Sequence, residues 1–172
     1  MDTYYTVNGI RFNYPSGWNF GAPSNFSTVI GDFNGDKRTD FMRLSSTGYF
    51  VFLNQGINAN NVPIAFSAAN YPWPVSGWDF GLPSNYLSLA GDYNRDGLDD
   101  IVHINGTLKF TMFSRGDGTF SYAVTEGMPG WNFGVNHKTE WATIQGDFDG
   151  NGTKDIMRMN AVNFFQMLST PN

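Results

Sequence analysis

Apolar and polar positions alternate in short runs along this chain, and Gly, Asn, Asp and Ser gather in the gaps between runs. Residues Phe26 to Ile30, Tyr86 to Ala90 and Trp141 to Gln145 read as first strands running into a Gly-Asp pair. Second strands follow at Phe41 to Leu44, Ile101 to Ile104 and Ile156 to Met159, and third strands at Tyr49 to Leu53, Leu108 to Phe113 and Asn163 to Leu168. Fourth strands are expected near Ile64 to Ala68 and Thr119 to Val124. The runs are short, rich in aromatic and β-branched residues and bounded by turn formers, so they favour strand. No apolar period of helical spacing runs for a useful length.

The same order is written three times. Ser16-Gly17-Trp18-Asn19-Phe20-Gly21, Ser76-Gly77-Trp78-Asp79-Phe80-Gly81 and Pro129-Gly130-Trp131-Asn132-Phe133-Gly134 precede the three first strands. An acidic loop follows each first strand, starting at Asp32, Asp92 and Asp147, 60 and 55 residues apart. A period of that size signals a repeat architecture. The single repeat domain 1–172 divides into units at about 16–75, 76–128 and 129–172. The last unit ends before a fourth strand, and the stretch Tyr4 to Phe12 is expected to complete its sheet as an N-terminal strand. A sheet lacking that strand would leave an open edge. Four-stranded antiparallel sheets, each with one Asp-rich hairpin, predict an all-β β-propeller with three blades per chain.

The loops carry the plainest chemistry. Asp32-Phe33-Asn34-Gly35-Asp36-Lys37-Arg38-Thr39-Asp40 is matched by the nine residues from Asp92 and the nine from Asp147, with Asp or Asn at positions 1, 3 and 5 and Asp at position 9. That spacing wraps oxygen donors around a point and leaves room for the position-7 carbonyl, as Ca²⁺ requires. An EF-hand is excluded, because its bidentate acid at position 12 is replaced here by Arg43, His103 and Arg158.

Composition sharpens this reading. The net charge is −5, yet nine of the fifteen acids sit at loop positions, leaving six against ten Lys and Arg. The rest of the protein is near neutral, with no cationic cluster, so nucleic acid is not an expected partner. Cysteine is absent, which excludes disulfides and thiol chemistry. No run approaches the ~20 apolar residues of a membrane span. The first residues, Met1-Asp2-Thr3-Tyr4-Tyr5-Thr6, lack the features of a signal peptide. Sequons stand at Asn25, Asn105 and Asn151; the last is a loop donor, which argues against a glycosylating compartment. Localisation stays open between an extracellular and a leaderless cytoplasmic protein.

Through Gly31-Asp32-Phe33-Asn34-Gly35-Asp36, Gly91-Asp92-Tyr93-Asn94-Arg95-Asp96, Gly146-Asp147-Phe148-Asp149-Gly150-Asn151 and the closing Asp40, Asp100 and Asp155, the chain resembles the FG-GAP/VCBS repeat family. These are the Ca²⁺-binding propeller blades of integrin α-chain heads and of certain lectins. Three blades cannot close a ring, because propellers need roughly four to eight. Closure is expected from a homodimer with six blades and N-terminal strands exchanged across the joins; part of a larger propeller is the alternative. About three Ca²⁺ per chain are expected. The side-chain ligands would be Asp32, Asn34, Asp36 and Asp40; Asp92, Asn94, Asp96 and Asp100; and Asp147, Asp149, Asn151 and Asp155, with the carbonyls of Arg38, Leu98 and Thr153. Position 6 wants glycine for a positive φ, and Lys37 breaks that rule where Gly97 and Gly152 keep it, so the first site is expected to be strained or weakest. An ion at ~100 times its dissociation constant adds ~2.7 kcal/mol, so three sites would rival a domain's whole stability.

Two more sets repeat. Trp18, Trp78 and Trp131, each followed by Asn19, Asp79 or Asn132, offer either inter-blade packing or a face for a pyranose with a polar neighbour. Arg43, His103 and Arg158 either line a groove between blades or face solvent or a channel. Trp73 and Trp141 stand outside the repeat. Two histidines, no cysteine and six scattered acids (Asp2, Asp79, Asp99, Asp117, Glu126 and Glu140) make an enzyme unexpected. The expected function is a Ca²⁺-dependent lectin binding glycans or glycoproteins, the alternative a protein-binding or structural propeller.

Overall fold

The structure is a computed structural model and describes residues 4–7, 10–13, 26–74, 86–104, 108–126 and 142–171. Every regular element among them is a strand. β1 (Tyr4–Val7) and β2 (Ile10–Asn13) pair antiparallel as a hairpin. Sheet one runs β3 (Ser27–Gly31), β4 (Asp40–Leu44), β5 (Gly48–Leu53) and β6 (Ser67–Pro72). Sheet two runs β7 (Leu87–Gly91), β8 (Asp100–Ile104), β9 (Leu108–Ser114) and β10 (Phe120–Glu126). Sheet three holds β11 (Ala142–Gly146), β12 (Asp155–Met159) and β13 (Phe164–Met167). Each is an antiparallel meander in which chain neighbours pair.

The repeat is kept in register as well as in order. Gly31 opposes Asp40, Gly91 opposes Asp100 and Gly146 opposes Asp155, so each acidic loop bridges the same rung of its sheet. One rung set further in pairs a hydroxyl with a basic residue: Thr28 with Arg43, Ser88 with His103, Thr143 with Arg158.

Alternation along each second strand sends its side chains to two faces. Val29, Phe33, Met42, Leu44, Tyr49 and Val51 of sheet one form one buried cluster with Ile101, Phe110, Met112 and Phe120 of sheet two. Tyr93, Val102 and Ile104 on the other face of sheet two form a second cluster with Ile156 and Met167 of sheet three. Sheet two therefore lies between the other two, which is why all five residues of β8 are buried. Backbone bonds join the sheets as well: Asp99 N–H donates to the Asp32 carbonyl at 2.8 Å and Lys154 N–H to the Asp92 carbonyl at 2.7 Å.

Three expectations shift. The single strand over 4–12 is instead the β1–β2 hairpin, closed on itself from Tyr4↔Asn13 to Val7↔Ile10, and β13 pairs only with β12. Sheet three accordingly has three strands among the described residues. The fourth strand of sheet one starts at Ser67 rather than Ile64, because Ile57↔Pro63 and an Asn58-anchored turn occupy the approach. The first strands of sheets one and two begin one residue later, and all three first strands run into the glycine, since Gly31, Gly91 and Gly146 each pair with the carboxylate-bearing residue across the ladder.

Phe33 is fully buried and meets Phe120 edge-on at 5.9 Å, spanning the joint between sheets one and two. Replacing it with alanine is expected to cost about 3–5 kcal/mol in chemical denaturation. A loss below 1 kcal/mol would mean the two sheets are not packed through this residue.

Candidate metal loops and the seams between sheets

Each loop is folded by its own acids before any ion is considered. In the first, Asp32 Oδ1 accepts Gly35 N–H at 2.8 Å and Asp36 N–H at 3.1 Å, while Oδ2 accepts Lys37 N–H at 2.8 Å. In the second, Asp92 accepts Arg95 N–H at 2.6 Å, Asp96 N–H at 3.2 Å and Gly97 N–H at 3.0 Å. In the third, Asp147 accepts Gly150 N–H at 2.7 Å and Gly152 N–H at 2.9 Å. Position 5 repeats this one step on, with Asp36, Asp96 and Asn151 accepting Arg38, Leu98 and Thr153 N–H at 2.8–2.9 Å. The position-3 side chain ties to position 5 through an amide in every loop: Asn34 to Asp36, Asn94 to Asp96, Asn151 to Asp149.

The closing acid has a different task. Asp40, Asp100 and Asp155 are each fully buried. One oxygen accepts the position-2 N–H (Phe33 at 2.9 Å, Tyr93 at 3.1 Å, Phe148 at 2.8 Å). The other accepts an N–H at the exit of the third strand (Asn54 at 2.7 Å, Ser114 at 2.9 Å, Ser169 at 2.8 Å). Burial pushes the Asp40 carboxyl above its usual range against these two amide bonds, with Asp36 and Asp32 adding repulsion. The same balance raises Asp100 to about 7. In both, the cost of burying the charge exceeds what two N–H donors return, an imbalance that a cation would reverse.

The donor set fits a hard cation. Carboxylates of Asp147, Asp149 and Asp155 have oxygens within 4.8 Å of one another. In the first and second loops position 3 is Asn34 or Asn94, which offers an amide oxygen where Asp149 offers a carboxylate, and Asp36 also pairs with Arg38. Each carboxylate oxygen has two lone pairs, so one amide bond leaves it able to ligate.

Strain is spread differently from the sequence expectation. Lys37 does take a positive φ, 65°, beside 85° at Gly97 and 89° at Gly152. Position 4 is left-handed too: 76° at Gly35, 66° at Arg95 and 78° at Gly150. The first and second loops therefore each hold one side chain in this region, and the third holds none. The second strained position was hidden because Arg95 looked like an ordinary loop residue.

Two of the three basic residues at position 12, His103 and Arg158, lie in the seams between sheets. His103 is buried beside Trp73 and Phe110, with ring centroids at 6.1 and 5.9 Å; Ser88 Oγ lies 2.8 Å from its Nδ1. Burial lowers its pKa to about 3, so it is a neutral ring. Arg158 is 2% exposed, and burial lowers its pKa as well. Arg43 keeps a half-buried guanidinium, 3.1 Å from Thr28 Oγ1 and 5.0 Å above the Phe26 ring. Trp18, Asn19, Trp78, Asp79, Trp131, Asn132 and Trp141 lie outside the described residues.

Trp73 was not singled out by the repeat, yet it anchors the first seam. Its indole N–H donates to the Ser45 carbonyl at 2.7 Å and its ring lies 5.2 Å from Tyr49. Tyr49 and Tyr122 bring their hydroxyls to 2.9 Å from opposite sheets, and Tyr122 stacks on Phe110 at 5.6 Å. This seam offers aromatic faces and hydroxyls at a partly exposed rim. A Tyr-Pro-Trp-Pro run ending a strand was the available signal.

No protein-family model matches the chain, and no curated protein does. Solved structures do match. An Agrocybe aegerita lectin described by its specific recognition of non-reducing terminal N-acetylglucosamine is 19% identical, with a TM-score of 0.58 over 90% of this chain and 40% of the lectin. TcdB2-TccC3 without its hypervariable C-terminal region is 11% identical, with a TM-score of 0.61 over 96% of this chain and 7% of that one. TcdB2-TccC3-TEV matches at 12% identity, again with a TM-score of 0.61 and the same coverage. The chain thus spans less than half the length of these structures, and the likeness is one of fold.

Asp100→Ala is expected to destabilise by about 2–5 kcal/mol even in chelator, since it strands two buried N–H donors. Denaturant curves with EDTA present check this, and an unchanged midpoint would reduce Asp100 to a ligand only. Lys37→Gly should move the other way, by about 0.5–1 kcal/mol, as relief of the left-handed side chain outweighs the added chain entropy. A lower midpoint for Lys37→Gly would refute that account of the first loop.

Proposed function

We propose that the protein is a calcium-dependent carbohydrate-binding β-propeller of the FG-GAP/VCBS kind. Each sheet is one blade, and two copies of the chain supply the six blades of a closed ring. The observation that carries this reading is that 90% of the chain shares its fold with a lectin recognising terminal N-acetylglucosamine. The match takes up 40% of that lectin. Homodimeric closure is the symmetric way to cover the two outer faces that three blades present.

Calcium in this reading is held by Asp32, Asn34, Asp36 and Asp40, and by the equivalent sets at Asp92 and Asp147. It supplies positive charge where burial disfavours Asp40 and Asp100. Its work is to set the loop that closes each blade. Sugar would bind in the seams, where aromatic faces and hydroxyls meet, as with Trp73, Tyr49 and Tyr122. Equivalent weak sites around a ring gain strength together when the ligand is multivalent. The chemistry asked of these residues is binding alone.

A glycan array probed with Ca²⁺-loaded protein, beside an EDTA-treated sample, tests the reading. Binding to glycans with terminal hexosamine or hexose, lost on chelation, is expected. A folded, Ca²⁺-loaded protein silent on every glycan would overturn it in favour of a protein-binding or structural propeller.

A further inference from the structure

Two joins between sheets lie inside the chain, and they are built alike. At the first, Asp99 N–H reaches the Asp32 carbonyl, and a Cβ on Gly31 would lie 3.0 Å from Asp99 Cβ. At the second, Lys154 N–H reaches the Asp92 carbonyl, and a Cβ on Gly91 would lie 3.1 Å from Lys154 Cβ. In both, the glycine before the loop lets loop position 8 of the next sheet come to backbone contact. Gln145 of sheet three also reaches back over sheet two, donating to the Ala90 carbonyl at 2.9 Å and the Tyr93 hydroxyl at 2.6 Å.

Sheet three repeats the receiving half of this join, with no sheet filling it among the described residues. Gly146 is in place, but the nearest atoms to an added Cβ belong to its own Phe148; around Gly150 nothing lies within 4 Å. Ile144, Phe148, Met157 and Met159 occupy the positions of Val29, Phe33, Met42 and Leu44, which are buried in sheet one. Here Ile144 is 43% and Phe148 37% exposed, and the neighbouring Phe164 is 69% exposed. Met157, Met159 and Phe164 line an open hollow of about 450 Å³.

Sheet one carries the inserting half, with no further sheet packed on it among the described residues. Ile30 stands where Ala90 and Gln145 stand in the later sheets, and it is 65% exposed. Phe41 takes the place of the buried Ile101 and Ile156, and it stacks on Phe52 at 4.2 Å. Thr39 is the position-8 residue, flanked by Lys37 and Arg38, while the loop of sheet three exposes Asp147 and Asp149. Cationic and acidic rims would meet at the same level as the apolar faces.

We propose that sheet three of one copy receives sheet one of a second copy through this same join, head to tail, twice around a twofold axis. The second copy's Thr39 N–H would donate to the Asp147 carbonyl, its Ile30 would cover Phe148, and its Lys37 and Arg38 would face Asp147 and Asp149. The proposal rests on the six-blade closure above and assigns the faces that make it. A face-to-face dimer, with like surfaces meeting, is excluded by it.

The chain has no cysteine, so single thiols report contact cleanly. Thr39→Cys and Gly146→Cys chains, purified separately, are expected to stay uncross-linked when oxidised alone and to give a disulfide-linked pair when mixed, because the internal equivalents place these Cβ positions 3.0–3.1 Å apart and a shift of a few tenths of an ångström reaches the roughly 3.5–4.5 Å of a disulfide. Sedimentation of the unaltered protein in Ca²⁺ should show twice the chain mass. Ile30→Glu and Phe148→Lys should each raise the dimer dissociation constant by about 100-fold or more, with circular dichroism confirming folded chains, and an equal mixture should recover the dimer through its one intact join. A monomer at every concentration overturns the proposal, as does cross-linking of Thr39→Cys with itself, a dimer indifferent to both charge substitutions, or a particle larger than two chains. Glycan binding is scored separately: a sugar-binding monomer would sink only this join, and a glycan-silent dimer only the lectin reading.

Discussion

Everything in this fold hangs from a buried carboxylate that holds two backbone amides. Asp40, Asp100 and Asp155 each clasp the second residue of an acidic loop with one oxygen and the exit of the third strand with the other. That clasp fixes the loop to the ladder and the first hairpin to the second, so three strands move as a unit. Without it, two amides in a water-free place would lack acceptors, a loss of ~1–3 kcal/mol each. With it, a charge is buried, and burial raises the pKa of Asp40 and Asp100 because two amides compensate only part of its cost. A divalent ion beside the same carboxylate turns the largest local cost into an attraction. The loop's remaining acids are spaced to hold one.

The second constraint is that one sheet cannot bury both of its faces alone. Sheet two shows the complete case, with Ile101 facing one neighbour and Val102 facing the other. Stacked repeats behave as nearest-neighbour arrays, and soluble open arrays end in repeats with polar outer faces. The end sheets here are not of that kind. Ile144 and Phe164 at one end and Ile30 and Phe41 at the other keep the internal apolar pattern, which suits a structure without ends.

Most of the local architecture was legible because the repeat was written three times. The loops, the second and third strands and their order all follow from alternation and turn chemistry that recur in register. What the sequence hid was non-local. Position 4 of the loop showed no fixed residue type, so the left-handed backbone at Arg95 was invisible until φ was known. The clasp was read only as a ligand, since nothing local says that Asp100 also reaches Ser114. Trp73 occurs once, so repeat logic passed over a residue that tertiary packing places against His103. The N-terminal stretch alternates well enough for one strand, but Asn8-Gly9 is a strong hairpin turn signal that the longer reading overrode.

The seams tie assembly to binding. His103 and Arg158 stand in the two seams inside the chain, and Arg43, at the equivalent position, stands over Phe26 on the face of sheet one turned away from sheet two. In the ring proposed here, that face becomes a third seam, made of two chains. A ligand resting in it would touch both copies and so bind the dimer better than the monomer. By mass action, such a ligand stabilises the ring in proportion to its occupancy. The seams inside the chain confer no such linkage, because they exist in either state. The three position-12 residues thus differ in consequence although they share one place in the repeat, and the half-exposed Arg43 is the one whose surroundings depend on assembly.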